Sequence, residues 1–368
     1  MQILSEENTM VREMAAGFLS ENAPVETARA LRDDRSALGY DRTLLAETAA
    51  MGWYGMLLGE DVGGTDMGAQ AAGLIAEEMG RRLTNAPFLS SGVMSASLLR
   101  HVGETTLAAE IASGTAVVTL ATDETTKHAP DRIETTAAPS GNGFVLNGSK
   151  RFVNDAIDAT RVIVPAQTDA GLGLFLVDPA LEGVTTRAYR TVDNRNAADL
   201  TFDNVQLDGA AQIAVGPEAE AGFAAALRVG RAVASAELVG VSKEAAERTV
   251  AYLKERKQFG VTLSQFQALQ HRAADLYTQI QTTEAITAAA LAAIDEGRED
   301  AERLSRAAKA KASKTASLAV REAVQMHGGM GMTDALDIGL FMKKARAAIE
   351  HLGDAGCHAE WLLRDRGI

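Results

Sequence analysis

The spacing of apolar residues divides the chain into three parts. From the N-terminus to about residue 113, apolar side chains recur at intervals of three and four residues, as in the segment 10–18. This is the period of amphipathic helices. Gly52 and the glycine-rich stretch 59–64 interrupt it. The pattern predicts an N-terminal α-helical domain over residues 1–113.

The period changes to short β-type runs between residues 114 and 216. The runs are 116–121, 144–146, 161–164, 172–177 and 200–207. They are too short for helices, and Asn142-Gly143 is a dipeptide typical of a tight turn between two strands. This part of the chain therefore predicts a small central β-domain over residues 114–216.

The helical period returns after Gly216-Pro217 and continues to the C-terminus. Glycines at 260, 297, 328–331 and 353 divide this part into about four long helices and a short last one. One helix carries an apolar stripe at three- and four-residue spacing, formed by Phe266, Leu269, Ala273, Leu276 and Ile280. The sequence thus predicts a helical bundle over residues 217–368 and a fold of the α+β class that is mostly α.

Composition and charge narrow the possible functions. The 368 residues are 46% apolar, and 36 basic against 49 acidic residues give a net charge of −13. This charge repels nucleic acid and anionic membranes. An anionic ligand would need local cations, for which Arg231 and Arg256 are the candidates. The six histidines are scattered, so no metal site is expected.

Cysteine content and the N-terminal segment bear on the cellular compartment. The single cysteine, Cys357, has no partner for an internal disulfide, and charges interrupt the apolar runs of residues 1–18. No stretch approaches the roughly 20 apolar residues of a membrane span. The sequence predicts a cytoplasmic protein.

Two motifs in the C-terminal part suggest binding of an anionic cofactor. One runs from Arg256 to Gly260, and the other places Gln325 before the glycine-rich segment 328–331. A guanidinium presents a rigid fork of donors to phosphate oxygens. Glycines let backbone amides approach a ligand closely. Taken alone, the first motif also fits a basic helix end with Gly260 as its C′ residue.

With Gly230-Arg231 and the segment 264–275, these motifs resemble the signature of the acyl-CoA dehydrogenase family, flavoenzymes that desaturate acyl thioesters. The resemblance covers nearly the whole chain. It implies an N-terminal helical domain, a central β-barrel-like domain and a C-terminal four-helix bundle. It also implies FAD as cofactor, an acyl-CoA substrate, an electron-transfer flavoprotein as redox partner, and a homo- or hetero-tetramer.

The resemblance also implies roles for single residues. The arginine matching Arg256 contacts the FAD pyrophosphate across a dimer interface, and the element matching Gln325 supports the adenine end of a neighbouring subunit's FAD. Arg231 is the expected substrate contact, and Asp354 is expected to be a helix N-cap or a ribityl contact. The implied cofactor contacts in this part are Arg256, Gln258, Phe259, Gln325, Gly328, Gly329 and Asp354.

The β-domain matches the family only in part. Phe152 and Asn154 stand where the family has a tryptophan and a threonine beside the flavin ring, and both are expected to contact it. Thr122 begins a segment that resembles the Thr-Glu-Pro-x-x-Gly-Ser-Asp element, which holds flavin and acyl-CoA. The Gly-Ser-Asp portion is replaced by 127–129, Lys-His-Ala. The resemblance to the element that holds acyl-CoA is therefore incomplete.

The chain lacks the family's catalytic base at both familiar positions. Desaturation requires a carboxylate that removes the α-proton, but Leu352 occupies the usual glutamate position and Gly230 the less common one. Three hypotheses follow. Glu350 or Asp334 serves from a displaced position, a homologous partner subunit supplies the glutamate, or the chain is a structural, FAD-binding subunit without redox activity of its own.

Overall fold

The computed structural model describes residues 5–368, and the predicted order of helices, strands and helices is confirmed. The N-terminal part contains six α-helices. They are α1 Glu6–Asn22, α2 Val25–Asp33, α3 Arg42–Ala50, α4 Gly68–Arg82, α5 Ala96–Val102 and α6 Thr105–Ala112. Ser5 caps α1 and Asp41 caps α3, each by accepting a hydrogen bond from a first-turn amide.

The central part forms an eight-stranded sheet with the order β6-β7-β3-β2-β4-β5-β8, and β1 pairs with β4. The strands are β1 Val118–Leu120, β2 Thr136–Ser140, β3 Gly143–Asn154, β4 Arg161–Thr168, β5 Gly171–Val177, β6 Val184–Arg190, β7 Asn196–Asp208 and β8 Gln212–Val215. Most pairs are antiparallel, but β1 and β2 each pair with β4 in parallel. Phe175, Leu146 and Val164 lie in the core of this sheet.

Five helices and a small hairpin form the C-terminal part. They are α7 Pro217–Glu255, β9 Lys257–Gln258, β10 Val261–Thr262, α8 Gln267–Asp295, α9 Ala301–His327, α10 Ile338–Glu350 and α11 Ala355–Asp365. The predicted long helices and short last helix are therefore present. Among the helices of residues 5–368, none combines the length and apolarity that crossing a bilayer requires.

The chain divides into two compact units. The helical unit contains the residues through Ala30, Gly73–Thr84 and Arg231–Ile368, and the sheet unit contains Leu31–Ala72 and Asn85–Gly230. In the helical unit, Phe341, Leu238 and Ala316 belong to one apolar cluster. Helices α4 and α7 approach closely there, because a Cβ at Gly80 would lie 2.1 Å from the Glu237 carbonyl oxygen.

Three local sequence predictions were wrong. The tight turn before β3 is formed by residues 141–142, one position earlier than expected, because Ser140 pairs with Gly143 and Gly141 takes a φ of +58°. Strands β2, β6 and β8 lie outside the predicted runs; β2 and β6 have largely exposed residues and so lack a long apolar signal. Phe266 is exposed, whereas Leu276 and Ile280 of the same predicted stripe are buried.

Candidate functional site

The Arg256 motif lies in a β-hairpin with a two-residue turn. Helix α7 ends at Glu255, and β9 and β10 pair through Gln258 and Val261. Phe259 and Gly260 form the turn with φ of +54° and +82°, the positive values that type I′ hairpin turns require. The prediction that Gly260 is a helix C′ residue is therefore wrong. Phe259 is 90% exposed in a backbone conformation that is unfavourable for an aromatic residue.

The glycine-rich segment lies at the end of α9. Gly328 takes φ +60° and ψ −141°, a conformation in which glycine avoids the Cβ penalty. A Cβ at Gly331 would lie 2.6 Å from the Val324 carbonyl oxygen, so packing alone requires glycine there. At Gly328 and Gly329, a Cβ would point into open space. The backbone of these two exposed residues is accessible to a ligand or a partner.

The hairpin and the glycine-rich segment lie at the same end of the helical unit. The Tyr252 ring, one turn before the end of α7, stacks on the His327 ring at a centroid distance of 4.3 Å. The Arg256 amide donates to the Tyr252 carbonyl at 2.8 Å. The structure thus brings the Arg256 motif and the Gln325 motif together, although about 70 residues separate them in the sequence.

Two side chains at this end have unused hydrogen-bonding groups. Arg256 and Gln325 are exposed, and neither side chain forms an ion pair or hydrogen bond with any residue from 5 to 368. A charged guanidinium, a primary amide and open glycine backbone are suited to phosphate and nucleobase groups. These residues fit the nucleotide portion of FAD. Gln258 differs, since its side-chain amide donates to the Lys257 carbonyl at 2.8 Å.

The turn at the expected base position lies elsewhere in the helical unit, between α10 and α11. Leu352 is 1% exposed and takes a left-handed φ of +58°, followed by Gly353 at +94°. Asp354 accepts a hydrogen bond from the Cys357 amide at 2.8 Å. The N-cap prediction for Asp354 is therefore confirmed. At this turn, a buried aliphatic side chain replaces a proton acceptor.

Neither candidate for a displaced base is a free carboxylate. Glu350 pairs with Arg346 on the same helix at 3.0 Å, and Asp334 binds Arg29 at 3.2 Å. Asp334 is also 67% exposed at its side chain. A general base needs hydrogen-bond reach to the substrate and a pKa suited to the task. The structure gives no support to either residue in that role.

Two buried titratable residues that the sequence analysis did not single out bind the Leu352 turn. Lys309 Nζ donates to the carbonyl oxygens of Ile349 and Gly353 at 3.0 and 2.9 Å. His358 Nε2 donates to the Leu352 carbonyl oxygen at 2.9 Å. A helical-wheel argument would have found Lys309, because it lies on the same face of α9 as the buried Ala312 and Ala316.

The Leu352 turn and the Gln325 motif are far apart within this unit. Lys309 contacts the turn, and 16 residues of α9 separate Lys309 from Gln325. At 1.5 Å per residue, this distance is about 24 Å along the helix. Within this unit, Leu352 and the exposed surface formed by Arg256, Gln325, Gly328 and Gly329 therefore cannot contact the same small group.

Arg231, the predicted substrate contact, is buried. It is 1% exposed, and its Nη2 donates to both carboxylate oxygens of Glu302 at 2.6 and 2.7 Å. An ion pair of this kind satisfies much of the guanidinium charge. The ion pair with Glu302 holds Arg231 in this buried position, and its role as a substrate contact stays a prediction.

In the sheet unit, a bulge in β3 displays Phe152. The pairing of β3 with β7 shifts between Lys150 and Val153, and Phe152 takes a φ of +52° with half of its surface exposed. Bulges reorient side chains and are common beside active sites. Asn154 follows on the same strand and is half-buried. An exposed aromatic ring fits contact with a flavin ring.

The loop that begins at Thr122 is stabilised by hydrogen bonds to Asp123. Asp123 accepts hydrogen bonds from the Thr122 hydroxyl, the Ala129 amide and His128 Nδ1, at 2.8, 2.8 and 3.0 Å. Burial opposes ionisation of Asp123, but these contacts hold its pKa below the ordinary value. His128 replaces the family's serine, and its buried Nε2 makes no hydrogen bond with residues 5–368. That nitrogen is available to a ligand or a water.

Comparison with known proteins identifies the chain. Family models match three consecutive regions, which are the acyl-CoA dehydrogenase N-terminal domain at residues 5–116, the middle domain at 118–205 and the C-terminal domain at 222–363. In the residues that the structure describes, no cluster of three or more potential metal ligands is found.

Relatives match over nearly their full length. The acyl-CoA dehydrogenase IpdE2 of Mycolicibacterium smegmatis is 28% identical over 95% of this chain and 96% of its own. Cyclohex-1-ene-1-carbonyl-CoA dehydrogenase of Geobacter metallireducens is 28% identical over 94% of both chains. A solved variant of the Tcur3481–Tcur3483 steroid ACAD is 29% identical and covers 98% of each chain with a TM-score of 0.89. The chain therefore belongs to the acyl-CoA dehydrogenase family, whose cofactor is FAD.

Proposed function

We propose that this chain is one subunit of a heteromeric acyl-CoA dehydrogenase whose homologous partner supplies the catalytic glutamate. The observation that carries the proposal is Leu352, a buried residue that cannot accept a proton at the family's base position. The Tcur3481–Tcur3483 structure, whose name joins two proteins, supports the heteromeric form.

The reaction removes a proton from the α-carbon of the thioester and a hydride from the β-carbon. Bound FAD would supply the hydride acceptor. A carboxylate must accept the proton. In this chain, Glu350 and Asp334 form ion pairs with Arg346 and Arg29. The partner's carboxylate is therefore the proton acceptor in our proposal, and an electron-transfer flavoprotein reoxidises the complex.

This chain contributes a nucleotide-binding surface to the partner's cofactor. Arg256 would bind the pyrophosphate through its unpaired guanidinium, and Gln325 with the open backbone at Gly328 and Gly329 would contact the adenine end. Gln258 and Phe259 of the same hairpin lie beside Arg256. In its sheet unit, Thr122, Phe152 and Asn154 are the proposed contacts to a flavin ring.

The acyl group that we propose is bulky and ring-containing. Two relatives support this class, because one is named a steroid ACAD and the other acts, by its name, on a cyclohexene carbonyl thioester. The chain is only 5% aromatic, which leaves aliphatic side chains to line much of its interior. A panel of linear, cyclohexenyl and steroid-derived acyl-CoA thioesters would distinguish these substrate classes.

The exposed hairpin predicts opposite effects on folding and assembly. Phe259→Asn creates an Asn-Gly turn, which suits positive φ. We therefore expect the free energy of unfolding of the lone chain to rise by about 1 kcal/mol, because the left-handed conformation costs a residue other than glycine about that much. Loss of the ring should weaken association with the partner at least threefold. Urea unfolding and sedimentation of the complex measure the two effects.

Phe259→Ala separates these effects, since it removes the ring without relieving the backbone. It should weaken assembly as Phe259→Asn does, while leaving the lone chain no more stable than the parent. Unchanged association in both variants would show that the hairpin lies outside the subunit interface.

The experiment that tests the proposed function compares the chain alone with the chain co-expressed with a homologous subunit that carries the glutamate. We expect a stable complex with a visible flavin absorption band that bleaches when an acyl-CoA is added. Bleaching by the lone chain would contradict the proposal. A complex that retains flavin without any bleaching across the substrate panel would favour the structural-subunit hypothesis instead.

A further inference from the structure

The turn that carries Leu352 is bound by buried side chains from two helices. Helix α9 provides Lys309, whose ammonium group reaches Ile349 O, Gly353 O and Ser313 Oγ at 3.0, 2.9 and 3.4 Å. Helix α11 provides His358, which donates to Leu352 O. Three carbonyl groups within five residues thus accept hydrogen bonds from two side chains with no exposed surface.

These contacts coincide with an unfavourable backbone. Leu352 takes a left-handed φ, which costs a non-glycine residue roughly 1–2 kcal/mol. Such a conformation persists only where the surroundings over-determine it. Helix α10 ends at Glu350, and the Ile349 carbonyl in its last turn accepts a hydrogen bond from Lys309. The second bond of Lys309 and that of His358 go to carbonyls of the turn itself and oppose its relaxation.

We propose that Lys309 and His358 are positioning residues that hold the backbone at position 352, and that the charge of Lys309 makes the stability of this turn depend on pH. The proposal deepens the proposed function, because position 352 is where this chain has lost the base. The hydrogen bonds that hold the backbone at this position are present, even though the Leu352 side chain is apolar.

The surroundings of Lys309 define the expected pH dependence. Burial lowers the pKa of Lys309 to about 7, and the carboxylates of Glu350, Asp354 and Glu237 only partly oppose this, together with Cys357. Glu237 is itself paired with Lys344 at 2.7 Å. His358 binds the Leu352 carbonyl from helix α11. Lys309 is therefore held closer to its neutral form than a lysine in water.

The sign of the effect follows from proton counting. When the turn opens, Lys309 regains a pKa of about 10.4. Between about pH 7 and pH 10, the open state then binds more protons than the closed state, so raising the pH favours the closed state. Below about pH 7, both states are protonated and the dependence vanishes. Protection of the turn should rise by up to about tenfold per pH unit within this window.

Hydrogen exchange of the assembled protein, followed by mass spectrometry of peptides covering residues 349–358, tests this proposal. Rates are corrected for intrinsic exchange at each pH. We expect protection to rise between pH 7 and 9 in the parent protein, and Lys309→Met to lower it at least tenfold and abolish its pH dependence. Lys314→Met, an exposed lysine on the same helix, should behave like the parent.

His358 provides the second test. His358→Gln keeps an N–H near Nε2 and should preserve most of the protection, whereas His358→Leu should lose it. Flat protection across this pH range in the parent protein would overturn the proposal even if Lys309→Met does not fold. So would unchanged protection in Lys309→Met. Since no redox activity is measured, failure here is distinguishable from failure of the heteromeric function.

Discussion

An acyl-CoA thioester added to the purified chain alone will leave its flavin oxidised, whereas the complex with a glutamate-bearing partner will bleach. The reason is the lack of a proton acceptor at Leu352, because its buried aliphatic side chain cannot replace a carboxylate. Replacing the partner's glutamate with glutamine should slow flavin reduction by about 10²- to 10⁴-fold, the usual contribution of a general base. Stopped-flow absorbance in the flavin band measures the rate.

Variants of this chain distinguish the hypotheses for the base. Glu350→Gln breaks the pair with Arg346 and should leave the reduction rate of the complex within a factor of about two. A loss comparable to that of the partner variant would instead identify Glu350 as a displaced base. Asp334→Asn serves as a parallel control, because it removes an exposed carboxylate bound to Arg29.

Loss of Arg256 is expected to have the second largest effect. Its exposed guanidinium forms no ion pair with residues 5–368 and lies at the same end of the helical unit as Gln325. A charge-assisted hydrogen bond to phosphate contributes about 1.5–3 kcal/mol. Arg256→Ala should therefore weaken flavin retention of the complex by more than tenfold. Equilibrium dialysis with fluorescence detection of released FAD gives the dissociation constant.

Neighbouring substitutions make this result specific. Lys257→Ala removes an exposed cation one residue away and should change FAD affinity less than threefold. Arg256→Lys keeps the charge but loses the fork of donors, so its effect should lie between those of the other two variants. Unchanged flavin content in Arg256→Ala would remove this residue from the cofactor site.

The sequence determined the order of elements and the identity of the cofactor motifs. Helical and strand patterns have different periods, so the change near residue 114 and the return of the helical period after Pro217 were visible without a structure. The Arg256 and Gln325 motifs were equally visible, because they depend on residue type and spacing. The absence of a carboxylate at Leu352 required only a count from Gly328.

The tertiary structure decided what each of these residues contacts. Gly260 looked like a helix end, but cross-strand hydrogen bonds, which a local pattern does not specify, place it in a hairpin turn. In the sequence, Arg231 and Arg256 were equivalent candidates for binding an anionic ligand. In the structure, Arg231 is buried and paired with Glu302, whereas Arg256 is exposed. Lys309 and Lys314 lie on one helix, and only packing against the α10–α11 turn buries Lys309. Burial and pairing depend on contacts between distant segments, so the sequence alone determined which groups are present, and the fold decided which of them are available.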